Sequence, residues 1–367
     1  MKDKETVAVG LSGGVDSAMA AKLLQGAGYN VIGLTMSIWD DTIPIKEATK
    51  SGCFGPGEAE DLKAAADISR RLGIPHHIIK LQTEYKDNVL DYFCSTYLDG
   101  KTPNPCLMCN YKMKFGLLPL RAREAGLIFN YFATGHYAGI DYCEETKRYQ
   151  LKRAIDLSKD QSYFLSFLRQ EQLQDLLFPL GKLNKNEVKQ LARTLGFEDL
   201  AAKPESQDFL ETDDYGVLFK DDAFHAGEVV DKEGKILGRH NGLIHYTIGQ
   251  RKNLGIPGQI EPYYVIDIDV AKNRLVVGPK QFLYETSLNA TSLNWISIKP
   301  PQDTFTAKAK IRLQHEPADC TITPIDEHTA MLDFAEPQLS ITPGQGVVIY
   351  DGDTVLAGGI IENKRTG

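Results

Sequence analysis

Hydrophobic and polar residues follow two different periodic patterns along this chain. Over the first third, short apolar runs alternate with segments whose apolar residues recur at helical spacing. The runs predict strands at TVAVGLS, NVIGLTM, HHIIKL and FNYFATGH, and the segments between them predict helices at about 16–27, 58–72, 85–98 and 110–125. Strands that alternate with helices of this length indicate parallel βαβ units. The first part is therefore predicted to be an α/β domain with a doubly wound parallel sheet.

The second pattern begins at about residue 211, after two short predicted helices at about 170–177 and 184–196. Short alternating segments are separated by turn signals such as KEGK, GIPG and YDGDT, which is typical of all-β structure. The sequence predicts a catalytic α/β domain over 1–210, a small β-rich domain over 211–287 and a C-terminal β-barrel over 288–367.

Composition and charge narrow the class of protein only a little. The chain has 367 residues, 42% of them hydrophobic, which suits two or three folded domains and argues against disorder. We expect a cytoplasmic protein without membrane contact, because the N-terminus lacks a secretory signal and no apolar run could span a bilayer. The six cysteines are then expected to be thiols, metal ligands or catalysts.

The net charge of −8 argues against non-specific binding of nucleic acid. Any RNA contact must come from local basic clusters, although a solvated charged face is the more common explanation of such clusters. Three candidates are Lys147, Arg148, Lys152, Arg153 and Lys159; Lys182, Lys185, Lys189 and Arg193; and Lys308, Lys310 and Arg312.

The segment GLSGGVDS at residues 10–17 lies between the first predicted strand and the first predicted helix. Gly13 and Gly14 permit a turn that points several N–H groups at one position, and the helix start adds its positive end. This arrangement predicts a phosphate site. The segment lacks the lysine of the ordinary nucleotide loop, and a carboxylate beside phosphates, here Asp16, indicates a bridging Mg²⁺. The structural alternative is a helix capped by Asp16 and Ser17.

Two other predicted strands end at the same edge of the sheet, where ligands of open α/β sheets bind. Met36 ends the second strand and could line an adenine pocket. Gly135, in ATGHY, would let the backbone approach the nucleotide. His136 next to it is as consistent with a structural role as with a functional one.

The segment TPNPCLMCN at residues 102–110 contains two prolines followed by Cys106 and Cys109. We place Cys109 near the start of the next helix, which would lower its pKa and favour the thiolate. Burial in a helical turn is the alternative. Cys53 lies in SGCFGPG, a glycine-rich loop after the second strand and hence at the same edge of the sheet.

The GLSGGVDS segment at residues 10–17 resembles the signature of the PP-loop pyrophosphatases. The chain as a whole resembles the bacterial tRNA-specific 2-thiouridylase (MnmA) family. The resemblance rests on ordered blocks that span nearly the full length: GLSGGVDS, TPNPCLMCN, ATGHYAGI, KDQSYFL, KPESQ, HYTIGQRKNLGI, NRLVVGP, LNWIS and TPGQGVVIYDG. It implies that ATP is split between its α- and β-phosphates to form an adenylate, and that the wobble uridine of tRNA receives sulfur at C2.

The resemblance also implies roles for individual residues. Cys109 matches the family's first catalytic cysteine, and we add Cys106, Cys53 and Asp16 as catalytic candidates from the residues themselves. The residues implied to bind ATP are Gly10, Leu11, Ser12, Gly13, Gly14, Val15, Asp16, Ser17, Met36 and Gly135. Those implied to contact the anticodon stem-loop are Asn104, Pro105, Cys106, His136, Lys159, Asp160, Gln161, Arg312, Leu313 and Gln345.

Two departures from the family pattern concern sulfur. Family members commonly carry Asp where this chain has Cys106, and a second catalytic cysteine shortly after the KPESQ-like segment. No cysteine occurs here between Cys143 and Cys320. Cys53, Cys106 and Cys109 could instead hold a [4Fe–4S] cluster with one open iron, as in cluster-dependent tRNA thiolation enzymes. A Zn²⁺ site and a persulfide relay between thiols remain open.

The sequence therefore predicts ATP-dependent 2-thiolation of tRNA, with sulfur supplied by a persulfide carrier protein or by free sulfide. The two alternatives are a PP-loop ligase or sulfurtransferase that acts on a small molecule, and an RNA-binding protein without catalytic activity.

Overall fold

A five-stranded parallel sheet forms the centre of the N-terminal part of the computed structural model, which describes residues 4–45, 49–202, 208–257 and 261–362. The strands of this part, in chain order, are β1 (Thr6–Gly10), β2 (Asn30–Ser37), β3 (Gly52–Phe54), β4 (His76–Lys80), β5 (Tyr131–Ala133), β6 (Gly139–Cys143), β7 (Arg148–Lys152), β8 (Leu176–Leu177) and β9 (Asp208–Leu210). The order across the sheet is β4-β2-β1-β5-β8, and all neighbouring strands are parallel. The doubly wound α/β prediction is confirmed.

The helices of this part connect the strands. They are α1 (Val15–Gly26), α2 (Glu58–Leu72), α3 (Gln82–Tyr85), α4 (Asp91–Leu98), α5 (Pro105–Met108), α6 (Leu118–Glu124), α7 (Ser162–Leu165), α8 (Gln170–Leu173), α9 (Lys185–Thr194) and α10 (Glu198–Ala202). π-Helical segments at Lys86–Leu90 and Cys109–Leu117 join α3 to α4 and α5 to α6. The helix predicted at about 170–177 ends early, because Leu176 and Leu177 pair with β5 as an edge strand.

Both faces of the parallel sheet are buried, which explains why its strands are apolar at successive positions. Val7 and Val9 point into a core shared with α1, α2 and α9. Ala8, between them, points into the opposite core. That second core continues into the C-terminal region, where it includes Val348 and Tyr350. The α/β part and the barrel are therefore joined by one continuous apolar contact.

The middle of the chain forms a separate four-stranded sheet. Its strands are β10 (Gly227–Val230), β11 (Ile236–His240), β12 (Tyr263–Asp269) and β13 (Arg274–Pro279), in the order β11-β10-β13-β12. Short 3₁₀ turns flank them at Tyr215–Leu218, Asp221–Ala223, Leu243–His245 and Lys280–Leu283.

The C-terminal strands close into a barrel, as predicted. They are β14 (Tyr284–Trp295), β15 (Phe305–Lys310), β16 (Ala318–Asp326), β17 (Thr329–Leu339), β18 (Gly346–Asp351) and β19 (Thr354–Glu362). Their order is β14-β17-β16-β15-β18-β19, and pairing of β14 with β19 closes the ring. The β6–β7 hairpin, which the sequence assigns to the first domain, adds to β19 through Lys152 and Thr354. Among the described residues, no helix is both long enough and apolar enough to span a membrane.

Candidate active site

Residues 10–17 form the turn between β1 and α1, at the carboxyl end of the central strand. Gly13 has a φ of +76°, and a Cβ at this position would lie 3.1 Å from the carbonyl oxygen of Asp61. A side chain is therefore excluded by both conformation and space. No side chain caps α1 at Gly14, and the hydroxyls of Ser12 and Ser17 lie 3.4 Å apart beside its first turn. An uncapped helix start with hydroxyls beside it is suited to bind an anion.

Asp16 lies in the first turn of α1 and makes an ion pair with a lysine from a distant part of the chain. Lys185 Nζ lies 2.8 Å from Asp16 Oδ1 and 2.7 Å from Oδ2. The Tyr137 hydroxyl donates to the same Oδ1 at 2.9 Å. The Lys185 side chain is 8% exposed and that of Asp16 is 29% exposed. A lysine is thus present at the loop after all, supplied by another element.

Lys185 is a residue that our sequence analysis missed, since it was grouped there with a basic cluster for RNA. A signal for it does exist in the sequence. Asn184 and Glu187 form a capping box, so Lys185 occupies the first position of α9. A cation at a helix N-terminus opposes the helix dipole, and such a placement indicates that the side chain serves another purpose.

Two further strand ends flank this loop, because the strand order reverses between β1 and β5. Met36, near the end of β2, is partly buried against the core. Gly135 follows β5, and a Cβ there would lie 2.6 Å from the carbonyl carbon of Asp16 and 2.7 Å from Ser17 N. The glycine therefore lets the β5 turn close onto the loop itself.

His136 lies in an aromatic pocket behind the same edge. Its Nδ1 is 2.7 Å from the Thr134 hydroxyl, and its ring centre is 5.4 Å from that of Phe115. Burial, with a smaller contribution from the nearby Lys114 charge, holds the pKa of His136 well below its usual value. The imidazole is therefore neutral at physiological pH.

Cys106 and Cys109 lie on one continuous helical segment that starts at Pro105. Asn104 is the N-cap and accepts a hydrogen bond from Leu107 N at 3.3 Å. Cys109 is consequently a full turn inside the helix. The expectation of a lowered thiol pKa was wrong, because burial raises the pKa of Cys109 to about 11 and that of Cys106 to about 12.

Cys53 lies on β3, which pairs in parallel with β9, with Gly52 opposite Asp208 and Phe54 opposite Leu210. Glu211 fixes this arrangement, since its carboxylate accepts from Gly57 N at 2.7 Å and it is almost fully buried. β9 follows the KPESQ segment, whose residues 203–207 lie outside the described residues. Cys53 is therefore on the strand that pairs with the region where the family pattern places its second cysteine.

The three thiols lie close enough for each to affect its neighbours electrostatically. Cys53 and Cys109 each raise the pKa of Cys106, and all three raise that of the buried Tyr85, whose shift is dominated by burial. Tyr85 stacks on Phe54 with ring centres 5.2 Å apart. The Cys53 side chain is exposed, yet the protein atoms around it disfavour the thiolate and raise its pKa.

Lys114 and Asp61 connect the thiols to the nucleotide loop. The Lys114 charge lowers the pKa values of Cys53, Cys106 and Cys109 against the larger effect of burial, and it also acts on His136. Lys114 lies five residues after Cys109, a spacing that one π-helical turn brings to the same face. Asp61 contacts the loop next to Gly13 and also affects Cys53. The first turn of α2, which carries Asp61, therefore lies between the loop and Cys53.

The metal prediction receives no support from this geometry. Thiols suit iron and zinc as ligands. However, the part of the chain that the structure describes contains no group of three or more His, Cys, Asp or Glu residues placed to hold a metal ion. As they are placed here, Cys53, Cys106 and Cys109 do not fit a metal site.

Asn110, directly after Cys109, contributes one further feature. Its Nδ2 donates to Cys106 O at 3.0 Å, and its buried Oδ1 has no hydrogen-bond partner among the described residues. A buried acceptor of this kind is expected to receive a donor from water or from a ligand.

Several residues expected to contact tRNA are engaged within the protein. Asp160 accepts from Ala154 N and Ser162 N and lies near Arg153. Gln161 accepts from Tyr137 N at 2.9 Å. Lys159, Pro105 and Arg312 are partly exposed, although Arg312 also donates to Leu339 O, and Leu313 packs against the core. Gln345 donates to the loop before Cys106.

Comparison with known proteins agrees with this architecture. Family models match in three places: a "tRNA methyl transferase HUP domain" over residues 5–210, a "tRNA methyl transferase PRC-barrel domain" over 218–279 and an "Aminomethyltransferase beta-barrel domain" over 285–361. The tRNA-specific 2-thiouridylase MnmA of Endomicrobium trichonymphae is 46% identical over 363 residues, which covers 98% of this chain and 100% of that protein. The chain belongs to the MnmA family.

A second MnmA relative, from Nostoc punctiforme, is 44% identical over 360 residues and covers 97% of this chain and 98% of its own length. The descriptions of two of the family models refer to tRNA methyl transferase, whereas the full-length MnmA relatives are named as thiouridylases. A 4-thiouridine synthetase–RNA complex with bound ATP is similar at 17% identity and a TM-score of 0.33, over 56% of this chain and 44% of that chain. A likeness that weak adds no argument.

Proposed function

We propose that this protein uses ATP to activate the wobble uridine of tRNA and then replaces O2 of that base with sulfur. The observation that carries the proposal is that an anion-binding loop packs beside Asp61 of α2, and that the charge of Asp61 affects the first of three thiols that also affect one another. A loop for ATP alone would suit any PP-loop enzyme. The thiols beside it, together with full-length relatives named tRNA-specific 2-thiouridylase, favour sulfur transfer to tRNA.

In the activation step, residues 10–17 would bind the phosphates of ATP, and Met36 and Gly135 would border the nucleotide. Uridine O2 attacks the α-phosphorus, and pyrophosphate leaves. Asp16 is the one carboxylate of the loop, and Mg²⁺ commonly binds proteins through one or two carboxylates together with the substrate phosphates. Asp16 would hold magnesium carried by ATP in place of one of its contacts with Lys185. Lys185 would supply the positive charge that the loop sequence lacks.

In the sulfur step, we assign the carrier role to Cys109. The terminal sulfur of a Cys109 persulfide attacks C2, the C2–O bond to AMP breaks, and AMP leaves. A thiolate of Cys53 or Cys106 then attacks the Cys109 sulfur, which breaks the S–S bond and leaves a protein disulfide. An external thiol must reduce that disulfide before the next turnover. The β3–β9 pairing supports Cys53 for this second role, because it lies beside the segment that lacks the usual cysteine.

The proposed contacts with tRNA rest on the resemblance to the MnmA family. Asn104, Pro105 and Cys106 would lie against the target base, with the buried Asn110 acceptor available for a base N–H. Lys159 and Arg312 would contact the phosphate backbone, so binding should weaken with salt. Asp160, Gln161 and His136 would shape this surface from beneath, since their side chains bond within the protein.

The test is a tRNA-dependent assay of pyrophosphate release and of labelled sulfur incorporation, with sulfide or a persulfide donor supplied under anaerobic conditions. We expect both activities in the wild type. Cys109→Ser should keep pyrophosphate release and lose incorporation. Equal ATP turnover without tRNA, given a small acid, would favour the small-molecule enzyme instead. Absence of both activities with intact tRNA binding would favour the RNA-binding alternative.

The [4Fe–4S] cluster of the sequence analysis can be tested on the same protein. Anaerobically purified protein that holds about four iron atoms, absorbs visible light and loses sulfur transfer with the iron would establish the cluster. Protein that is iron-free, colourless and fully active would exclude the cluster and support the persulfide relay between thiols.

A further inference from the structure

A turn of the C-terminal barrel is hydrogen-bonded to the loop that precedes Cys106 and Cys109. We call Pro343–Gly346 the barrel turn and Thr102–Pro105 the proline loop. Thr102 N donates to Pro343 O at 2.8 Å. Gln345 Nε2 donates to two carbonyl oxygens of the loop, that of Pro103 at 2.8 Å and that of Thr102 at 3.2 Å. Three hydrogen bonds therefore join these two segments, which are about 240 residues apart in sequence.

The barrel turn is itself fixed to the barrel. Gly344 N donates to Ile361 O at 2.8 Å, and Ile361 N donates to Gln345 O at 2.9 Å. Gly344 has a φ of +89°, and a Cβ there would lie 2.7 Å from Thr102 O. A Cβ on Gly346 would lie 2.6 Å from a methyl group of Leu107. The turn and the loop are therefore packed without spare space, and movement of one displaces the other.

The proline loop in turn sets the position of the thiols. Asn104 caps α5, and its own N–H donates to the Tyr92 hydroxyl at 3.2 Å. Cys106 and Cys109 follow on the same helical segment without a break. On the other side of the loop, Lys101 pairs with Glu362 of β19 at 2.7 Å. The barrel thus contacts this segment both at its start and at its cap.

We propose that Gln345 is a positioning residue for sulfur transfer: it fixes the proline loop against the barrel and so holds Cys106 and Cys109 in position. The inference rests on the proposed function and assigns Gln345 a role within the protein. Since the barrel is also expected to carry RNA, tRNA docking and thiol placement would be coupled through the contacts between the barrel turn and the proline loop, to which Gln345 contributes two of the three hydrogen bonds.

The experiment compares Gln345→Leu with Gln302→Leu, an exposed glutamine elsewhere in the barrel region. Leucine removes both donors at similar volume. We expect Gln345→Leu to lower the rate of sulfur transfer about tenfold, the factor that loss of two neutral hydrogen bonds corresponds to. The Kd for tRNA should change less than about twofold, since the amide nitrogen of Gln345 donates within the protein. In the free protein, alkylation of Cys106 and Cys109 should become faster, because a loosened loop exposes these partly buried thiols further.

Gln345→Asn provides a second variant in case the leucine variant does not fold, because it keeps the amide but shortens the side chain by one carbon. It should shift the same readouts in the same direction. A parallel loss of tRNA affinity and sulfur transfer, with alkylation unchanged, would overturn the proposal and make Gln345 an RNA contact. Alkylation is measured without tRNA or ATP, so this arm tests Gln345 even if the wild type transfers no sulfur.

Discussion

Replacing Lys185 with methionine tests whether this lysine belongs to the nucleotide site. Methionine keeps much of the apolar stem but removes the ammonium group, which makes two contacts of 2.7 and 2.8 Å to Asp16. Hydrogen bonds to charged groups contribute about 1.5–3 kcal/mol. Asp16 is 29% exposed and keeps the Tyr137 hydroxyl, so water can replace part of the loss. We therefore expect a loss of about 1–2 kcal/mol in the free energy of unfolding, below the cost of breaking a fully buried pair.

Activity should fall by more than this stability loss would explain. If Lys185 supplies the charge that the loop lacks, its removal should lower kcat/KM for tRNA-dependent pyrophosphate release by about 30- to 100-fold, equivalent to about 2–2.7 kcal/mol. Lys185→Arg should retain part of the activity because the charge is kept. Lys182→Met is the matched control, since Lys182 is an exposed lysine of the same basic cluster. If Lys185→Met and Lys182→Met gave equal rates while both proteins stayed folded, the role of Lys185 would be refuted.

Two further predictions concern the thiols and the loop. In an alkylation series from pH 7 to 10, Cys143 should react first, because a hydrogen bond from Thr146 lowers its pKa, whereas Cys109, with a pKa of about 11, should react slowly and accelerate as the pH rises. Equal rates for both at neutral pH, measured by mass spectrometry of peptides, would contradict the burial argument. Gly13→Ala should raise the Kd for ATP about tenfold or more, because φ is +76° and the Cβ would lie close to Asp61 O. An unchanged Kd by calorimetry, with Gly28→Ala (φ +95°, no neighbour within 4 Å) as control for backbone strain alone, would show that the turn can adapt.

The sequence by itself determined the α/β sheet, the closed barrel and the family. These features depend on local patterns: apolar runs of strand length, helical spacing between them, and a glycine turn whose conformation only certain residues permit. The start of α2 at Glu58 and its end at Leu72 agree with the prediction because the amphipathic pattern and the glycine that follows are both local signals.

Only the tertiary structure decided which distant residues meet. Lys185 reaches Asp16 across 169 positions, β9 pairs beside Cys53, and Gln345 bonds to the proline loop. The thiol pKa values were also beyond the sequence, because a cysteine's ionisation depends on how deeply the whole fold buries it, and burial here outweighs any effect of a helix start. Local patterns specify the elements, whereas the packing of those elements sets the distances and the local dielectric on which the chemistry depends.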